Sequence, residues 1–398
     1  MPTNRIYSTS VDSFSSEFDR DFEVISPYYF SENLDKYNIR VEATVSGQSY
    51  MYRINYPENK ENYIVLDFPG NSALQQINDH TIFGWNEEEG LKKYVYLSFS
   101  NPFKLIQESH NDGTSWVLQF DESVQLEIQV GESLISEEQA SKNLKREIEG
   151  KSFEDIKTAA KEIWNNELNK IEIETDDEDQ RITFYTALYR ALYSPYSITE
   201  DDLYYSAFDD SVHSADGRPF YTADGTWDSY RAKHPLQLIL DPQRQTDMMN
   251  SYAQMFVQYR IMPVFPFPQG ELNYMIGNHV APIVLDTWNK GYQNFNLPLI
   301  YEGLKKNALQ MTMLPDQNGP LTELDEFYHN KGYFPALDPG KDEWVEQVNP
   351  FYRRQSVSVT LESAYDNYCM KELAKILHHT NDIDLFFWKS IQLPKCFQ

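Results

Sequence analysis

The sequence of 398 residues predicts an antiparallel β-sandwich followed by a helical array or toroid. Short segments of alternating apolar and polar residues fill the first third of the chain, broken by Gly, Asn and Asp clusters. From about residue 135, apolar residues recur at helical spacing between loops that carry aromatic residues, Pro and Gly. The length exceeds that of one typical domain, and 41% hydrophobic residues can form a sizeable core.

The strand predictions depend on alternation and on turn residues. Between Ile39 and Val45 the odd positions are mostly apolar, and Pro69-Gly70 ends a short apolar run. The predicted strands are Ile39–Val45, Ser49–Asn55, Asn62–Phe68, Lys93–Phe99, Ser115–Phe120 and Val124–Val130. Short strands at this spacing are typical of an antiparallel sandwich.

The helix predictions depend on caps and on the 3.6-residue period. Ser136 precedes two glutamates, as an N-cap does, and predicts a helix to about Ile148. Apolar residues then share one face of a helix over Phe153–Leu168, namely Phe153, Ile156, Ala160, Ile163 and Trp164. Asp177 opens a third helix. The later predicted helices are Asp241–Tyr259, Asn278–Lys290, Pro298–Leu309, Ser356–His379 and a short one from Asp382.

Composition excludes some classes of function. The 61 acidic residues outnumber 34 basic ones and give a net charge of −27, which repels the phosphate backbone of nucleic acids. The 28 Tyr, 23 Phe and 7 Trp suit sites for neutral polar ligands such as sugars. No apolar run reaches the length of a membrane span, and Met1–Arg20 has no apolar segment, which predicts no secretory signal peptide.

The first candidate site is the loop Asp224–Arg231. An Asp228 carboxylate could accept two sugar hydroxyls, Arg231 could hold that carboxylate, and Trp227 could stack on a pyranose ring. The alternative is that Asp228 caps a helix while Trp227 fills the core.

The second candidate site is the loop Phe265–His279, which presents Glu271, Asn273 and His279 before an apolar helix. The alternative is an ordinary loop in which Asn278 caps the helix and His279 is satisfied in its first turn. Glu362 and Asp366 are four residues apart, so they share a helix face. They could line a site, or form a solvated or tyrosine-bonded pair.

Several strings resemble glycoside hydrolase family 92, a family of calcium-dependent, inverting, exo-acting α-mannosidases. The similar strings are Tyr185–Leu192, Trp227–Leu236 and Gly270–His279, with echoes at Glu23–Tyr29, Trp164–Leu168 and Ser356–Asp366. The resemblance implies a shortened, galactose-mutarotase-like β-sandwich over residues 1–134, a helical linker over 135–175, and part of an (α/α)₆ toroid over 176–398. It implies an exported or cell-surface protein that acts on mannose-containing glycans with α-1,2 linkages.

The resemblance also implies roles for the loop residues. Trp227, Asp228 and Arg231 would shape the sugar pocket, and Glu271, Asn273 and His279 would lie near it. Calcium is implied too, with no ligand assigned to a residue of this chain.

The chain departs from the family at its catalytic strings. The acid lies in a Gly-Asn-Ala-Trp-Gln-Tyr-like string and the base in a Gly-Asn-Asp-Asp-like string, and neither occurs here. Inversion needs both carboxyl groups, so we expect activity to be lost, or supplied only with a separate chain that completes the toroid. The alternatives are a non-catalytic carbohydrate-binding remnant, or a different toroid glycosidase that pairs Asp228 with Glu271 or Glu362.

The ends of the sequence suggest truncation. The Gly/His-rich opening expected of the sandwich is missing, so Met1 is expected to be the start of a shortened frame. At the other end, Ile391–Gln398 does not fit the family. Codons for this segment, read one base later, can encode Phe-Asn-Tyr-Gln-Asn-Val-Phe, which does fit. We therefore predict a frameshift at or just before Ile391, which the nucleotide sequence would test.

Overall fold

A computed structural model describes residues 1–6, 14–58, 61–109, 113–121 and 125–391. The segment 392–398, which carries most of the predicted frameshift, lies outside these residues. The chain forms two compact units, Met1–Tyr189 and Arg190–Gln398. The predicted domain boundaries at 134/135 and 175/176 stay predictions.

The first unit holds the sheets and the first helices. Its strands are β1 (Pro2–Thr3), β2 (Val24–Ser26), β3 (Tyr29–Leu34), β4 (Ile39–Val45), β5 (Ser49–Asn55), β6 (Asn62–Pro69), β7 (Asn71–Asn78), β8 (Thr81–Glu88), β9 (Leu91–Phe99), β10 (Phe103–Ser109), β11 (Gly113–Phe120) and β12 (Gln125–Ser133). Helices α1 (Glu137–Glu147), α2 (Phe153–Leu168) and α3 (Glu178–Tyr193) follow, the last running into the second unit.

The described strands of the first unit form two antiparallel sheets. One has the order β2-β3-β4-β5-β12-β9-β8-β7 and the other the order β1-β6-β11-β10. Buried residues from both sheets make one core, with Ile54 and Leu126 from the first and Trp116 and Leu118 from the second. The antiparallel β-sandwich and its six predicted strands are therefore confirmed.

The Ser136 hydroxyl accepts a hydrogen bond from the Gln139 backbone N–H at 3.1 Å, which confirms the predicted cap of α1.

Glycine is required where α1 packs on β12. A Cβ on Gly131 would lie 2.2 Å from the Ala140 carbonyl oxygen and 2.8 Å from Leu144 Cβ. The missing side chain thus lets the helix backbone approach the sheet.

A charged cluster joins α2 to the sheet. The Arg53 guanidinium donates to Glu42 at 2.8 Å and to Glu154 at 2.9 Å, and it lies 4.2 Å from the centroid of the Phe153 ring. Phe153 is 1% exposed, as its predicted face requires. Ile163 is 63% exposed, so the prediction that it shares the buried face is wrong. The buried stripe ends one turn earlier, at Ala160.

We predict that the first unit loses stability at acid pH through Glu42. Burial opposes ionisation, but hydrogen bonds from Arg53 and Tyr29 outweigh it and lower the pKa of Glu42 to about 2. Because the pKa of Glu42 is lower in the folded state than in the unfolded state, ionised Glu42 stabilises the fold at pH values above the ordinary glutamate pKa. This stabilisation is lost as the pH falls from about 4.5 to about 2. The expected loss is on the order of 3 kcal/mol.

Urea unfolding at stepped pH checks this expectation. A Glu42→Gln variant should show a smaller decline over the same range. Glu138→Gln is the control, because Glu138 makes an exposed pair with Lys142. Equal acid sensitivity of all three proteins would contradict the role of Glu42.

The second unit is mainly helical. Its helices are α4 (Thr226–Ser229), α5 (Lys233–Leu240), α6 (Pro242–Tyr259), α7 (Val280–Asn289), α8 (Leu297–Gln310), α9 (Glu323–Lys331), α10 (Ser356–Ile376) and α11 (Thr380–Ser390). Its short strands are β13 (Tyr196–Ser197), β14 (Leu203–Ser206), β15 (Ser211–Ser214), β16 (Tyr221–Thr222), β17 (Pro266–Phe267) and β18 (Gly270–Glu271). The later predicted helices are confirmed within a few residues at each end.

The described helices of this unit form part of a toroid and do not close into a ring. Helix α10 contacts α7, α8 and α11. On α10 and α11, Tyr365, Tyr368 and Phe387 are about half exposed. Among the described helices, none combines the length and apolar character needed to span a bilayer.

Candidate functional site

The second unit contains an open cleft of about 450 Å³ beside α4. The cleft combines carboxylates, hydroxyls, one lysine and aromatic rings. Its lining residues are Tyr193, Ser194, Tyr196, Ala223, Asp224, Gly225, Asp228, Ser229, Lys233, Phe265 and Phe267. Aromatic walls with a few polar groups are the usual make-up of a small-molecule site.

Asp224 is the most deeply buried charged group of the cleft. Its Oδ2 atom lies 2.8 Å from His234 Nε2 and accepts a hydrogen bond from the Tyr252 hydroxyl. Burial opposes ionisation, but His234, Lys233 and Tyr252 together hold the pKa of Asp224 well below its usual range. Burial also lowers the pKa of Lys233 to about 8, against the attraction of Asp224. Asp224 therefore stays ionised at neutral pH.

Asp228 lies on α4 and faces the same cleft. Gly225 occupies the N-cap position of this short helix, so Asp228 does not cap it. A Cβ on Gly225 would lie 2.6 Å from the Phe265 ring and 2.9 Å from Asp228 Oδ2. Glycine thus allows the ring and the carboxylate to approach the backbone. Trp227 is half-buried and packs on a cluster that includes Leu324.

Arg231 belongs to a second group of polar side chains. Its Nη2 atom donates to Glu362 Oε1 at 2.9 Å, and the Tyr230 hydroxyl donates to Glu362 Oε2 at 3.0 Å. The Tyr230 ring stacks on the His279 ring with centroids 4.2 Å apart. Helix α10 therefore links the first predicted loop to the second through Glu362.

His279 is fully buried at the start of α7. Its Nδ1 atom lies 2.9 Å from Asp366 Oδ1, and Asp366 Oδ2 accepts the Asn278 backbone N–H at 2.7 Å. Burial lowers the pKa of His279, but Asp366 and Glu362 outweigh burial and raise the pKa above its ordinary value. Glu362 and Asp366 thus share a helix face, as their spacing predicts. Both also contact His279, because Glu362 Oε2 lies 3.6 Å from His279 Nε2.

Glu271 and Asn273 form a third group within the second loop. The Glu271 carboxylate accepts backbone N–H groups of Val264 at 2.9 Å, Phe265 at 2.7 Å and Asn273 at 2.9 Å. Burial raises the pKa of Glu271 to about 7 despite these three bonds. Asn273, with φ of +48°, donates from its side chain to the Gln317 carbonyl. Both side chains hold the loop in shape.

Calcium does not fit a carboxylate-type site in the described part of the chain. Calcium takes six to eight oxygen ligands, usually with several carboxylates. The described residues hold no group of three or more Asp, Glu, His or Cys side chains that could bind a metal ion.

Comparison with known proteins decides the family. A model of the glycosyl hydrolase family 92 catalytic domain matches residues 139–398, and a model of that family's N-terminal domain matches residues 1–145. The chain belongs to glycosyl hydrolase family 92. Both the cleft at α4 and the His279 group fall inside the catalytic-domain match.

Solved structures of family 92 share the fold. An inverting family 92 mannosidase from Bacteroides thetaiotaomicron is 25% identical, with a TM-score of 0.87 over 99% of this chain and 54% of that one. A family 92 α-mannosidase from the same organism, also solved with mannoimidazole, is 25% identical, with a TM-score of 0.81 over 95% of this chain and 52% of that one.

A curated relative in Arthroderma benhamiae, described as an uncharacterized secreted glycosidase, is 27% identical over 256 residues. These residues make up 62% of this chain and 27% of that protein. The chain thus spans about half the length of the solved structures it matches.

Sequence reasoning missed part of the cleft. Asp224, Ser229 and Lys233 line it beside the predicted Asp228. Asp224 is the first residue of the first predicted loop. It is buried in contact with His234 and Tyr252, and the sequence around Asp224 does not predict these contacts.

Proposed function

We propose that this chain supplies the sugar-binding part of an exo-acting α-mannosidase that releases terminal mannose from glycans with inversion. The cleft at α4 is the observation that carries the proposal. Asp224, Asp228 and the aromatic residues Phe265 and Phe267 line this cleft together, inside the part of the chain that matches the family 92 catalytic domain. The solved mannosidases support mannose as the sugar.

The chemistry of the cleft suits a neutral pyranose. Carboxylates accept hydrogen bonds from sugar hydroxyls, and these charge-assisted bonds are the stronger kind. The rings of Phe265 and Phe267 stack 5.6 Å apart and offer a flat apolar wall for the C–H face of a sugar. Anionic ligands would be repelled by the carboxylates of Asp224 and Asp228.

Hydrolysis requires more than binding. Inversion needs one carboxyl group to protonate the leaving oxygen and another, roughly 6.5–9.5 Å away, to activate water. Both oxygens of Glu271 accept backbone N–H groups, and both oxygens of Glu362 accept from Tyr230 or Arg231. These two carboxylates are engaged in structure, which favours an acid and a base outside this chain. Calcium dependence belongs to the same proposal, with its ligands outside the described residues.

We expect the isolated chain to bind α-1,2-mannobiose without releasing mannose. Titration calorimetry with and without calcium measures binding, and chromatography of the same samples measures release. Asp228→Asn should weaken binding by about tenfold or more, because it removes a charged acceptor. Asp209→Asn is the matched control, because Asp209 pairs with His213 and lies outside the cleft lining.

The outcomes separate the alternatives. Release of mannose by the chain alone would place a working carboxyl pair within it, as in the alternative that pairs Asp228 with Glu271 or Glu362. Failure to bind in either calcium condition would overturn the proposal. A separate polypeptide that restores release on mixing would support completion of the site by a second chain.

A further inference from the structure

Two buried polar atoms in the cleft at α4 have no hydrogen-bond partner among the described residues. They are Asp224 Oδ1 and Ser229 Oγ. Asp224 is 2% exposed and Ser229 is 5% exposed, and both residues line the cleft. Buried polar groups are nearly always paired, since an unpaired one costs about 1–3 kcal/mol. A pair of such atoms in one cleft therefore points to a ligand that satisfies both.

The orientation of Asp224 is fixed by its other oxygen. His234 Nε2 and the Tyr252 hydroxyl both contact Oδ2, and Gln245 in turn holds His234 through Nδ1 at 3.1 Å. The backbone N–H of Asp224 also donates to the Pro266 carbonyl at 3.0 Å. Oδ1 is thus a preorganised, charged acceptor. It is not a rotating surface group.

Ser229 supplies the complementary donor. Its backbone N–H donates to the Gly225 carbonyl at 3.0 Å, and its hydroxyl has no partner among the described residues. A serine hydroxyl can donate or accept, whereas a carboxylate oxygen only accepts. Together the two atoms match a group that both donates and accepts, which an alcohol does. A phosphate or carboxylate ligand would instead be repelled by Asp224 and Asp228.

We infer that Asp224 and Ser229 form a binding pair for one hydroxyl of the pyranose in the cleft, with the hydroxyl donating to Asp224 Oδ1 and accepting from Ser229 Oγ. This rests on the proposed use of the cleft for a sugar. It adds two binding residues of the first candidate loop for which the sequence predicted no role, and it makes the cleft selective for the position of that hydroxyl.

Calorimetric titration of the full chain with a panel of methyl pyranosides tests the pair. The panel contains the α-mannoside, its four monodeoxy analogues, and the gluco and galacto epimers. Ser229→Ala should weaken mannoside binding about 3- to 10-fold, and Asp224→Asn about 10- to 100-fold. One deoxy analogue should lose affinity to a similar degree. That analogue should bind Ser229→Ala and the natural chain with equal affinity, because it already lacks the hydroxyl that Ser229 contacts.

Matched measurements keep the test decisive. Asp209→Asn should bind the mannoside as the natural chain does, and thermal melts should show Ser229→Ala folded. If the natural chain binds a different pyranoside and both variants weaken it, the pair stands while mannose is the wrong sugar. If the mannoside binds but Ser229→Ala and Asp224→Asn leave affinity unchanged, the pair is overturned while the proposed function survives. Binding of no pyranoside overturns the pair and the proposed function together.

Discussion

Replacing Asp366 with asparagine is expected to destabilise the second unit by about 3–5 kcal/mol. Asp366 accepts from the Asn278 backbone N–H through one oxygen and pairs with His279 through the other. An amide has a single oxygen, so one of these donors loses its acceptor and meets an N–H group instead. Urea unfolding of the natural and variant chains measures the loss.

The pH dependence gives this prediction a specific signature. Asp366 raises the native pKa of His279, so the pair stabilises the fold fully below the ordinary histidine value. That stabilisation is lost as pH rises through the raised native pKa. The Asp366→Asn variant should lack this step.

A control on the same helix separates this effect from general damage to α10. Glu372→Gln removes a carboxylate that pairs with Lys371 and Lys375 at the surface, and should change stability by less than about 0.5 kcal/mol. A variant at position 366 that keeps the natural stability and the natural pH step would refute the role of the pair.

Replacing Phe153 with alanine is expected to cost the first unit about 3–5 kcal/mol. The ring fills the space between α2 and the sheet, against Met51, Ile148 and Ile156. It also supports Arg53, whose guanidinium lies over it. The variant loses the burial of a large ring and leaves a cavity that regular elements on both sides cannot fill.

Ile163→Ala is the matched control on α2. Ile163 is largely exposed, so its truncation should change stability by less than about 0.5 kcal/mol. Thermal melts followed by circular dichroism compare the two variants. Equal stability losses would mean that α2 does not pack through Phe153.

Strands with one buried face were predictable because burial enforces alternation. β5 and β12, for example, place apolar residues on the core side at every second position. β7 was missed because it lies at the end of its sheet, pairs only with β8 in the described part, and carries polar residues on both faces. An edge strand of this kind lacks the alternation of apolar and polar residues by which a strand is recognised in a sequence.

The site was predictable only in its loops. Trp227–Arg231 and Gly270–His279 were recognisable strings, and the four-residue spacing of Glu362 and Asp366 predicted a shared face. The grouping of their side chains was not predictable. Asp228 lies with Asp224 in the cleft, Arg231 and His279 meet through Glu362, and Glu271 bonds its own loop. The bridge from Arg231 to Glu362 joins residues 131 apart in sequence, which local patterns do not encode.

The bridge through α10 also sets an order of assembly. Tyr230 and Glu362 are 132 residues apart, and His279 and Asp366 are 87 apart. Neither contact can form before residues 362 and 366 have been synthesised, and each closes a long loop at an entropic cost. During synthesis, Tyr230 and His279 leave the ribosome well before the carboxylates that will hold them. The loops that carry Tyr230 and His279 therefore gain these contacts only after α10 has been made and has docked, so the sugar binding proposed for the cleft at α4 should appear after that step.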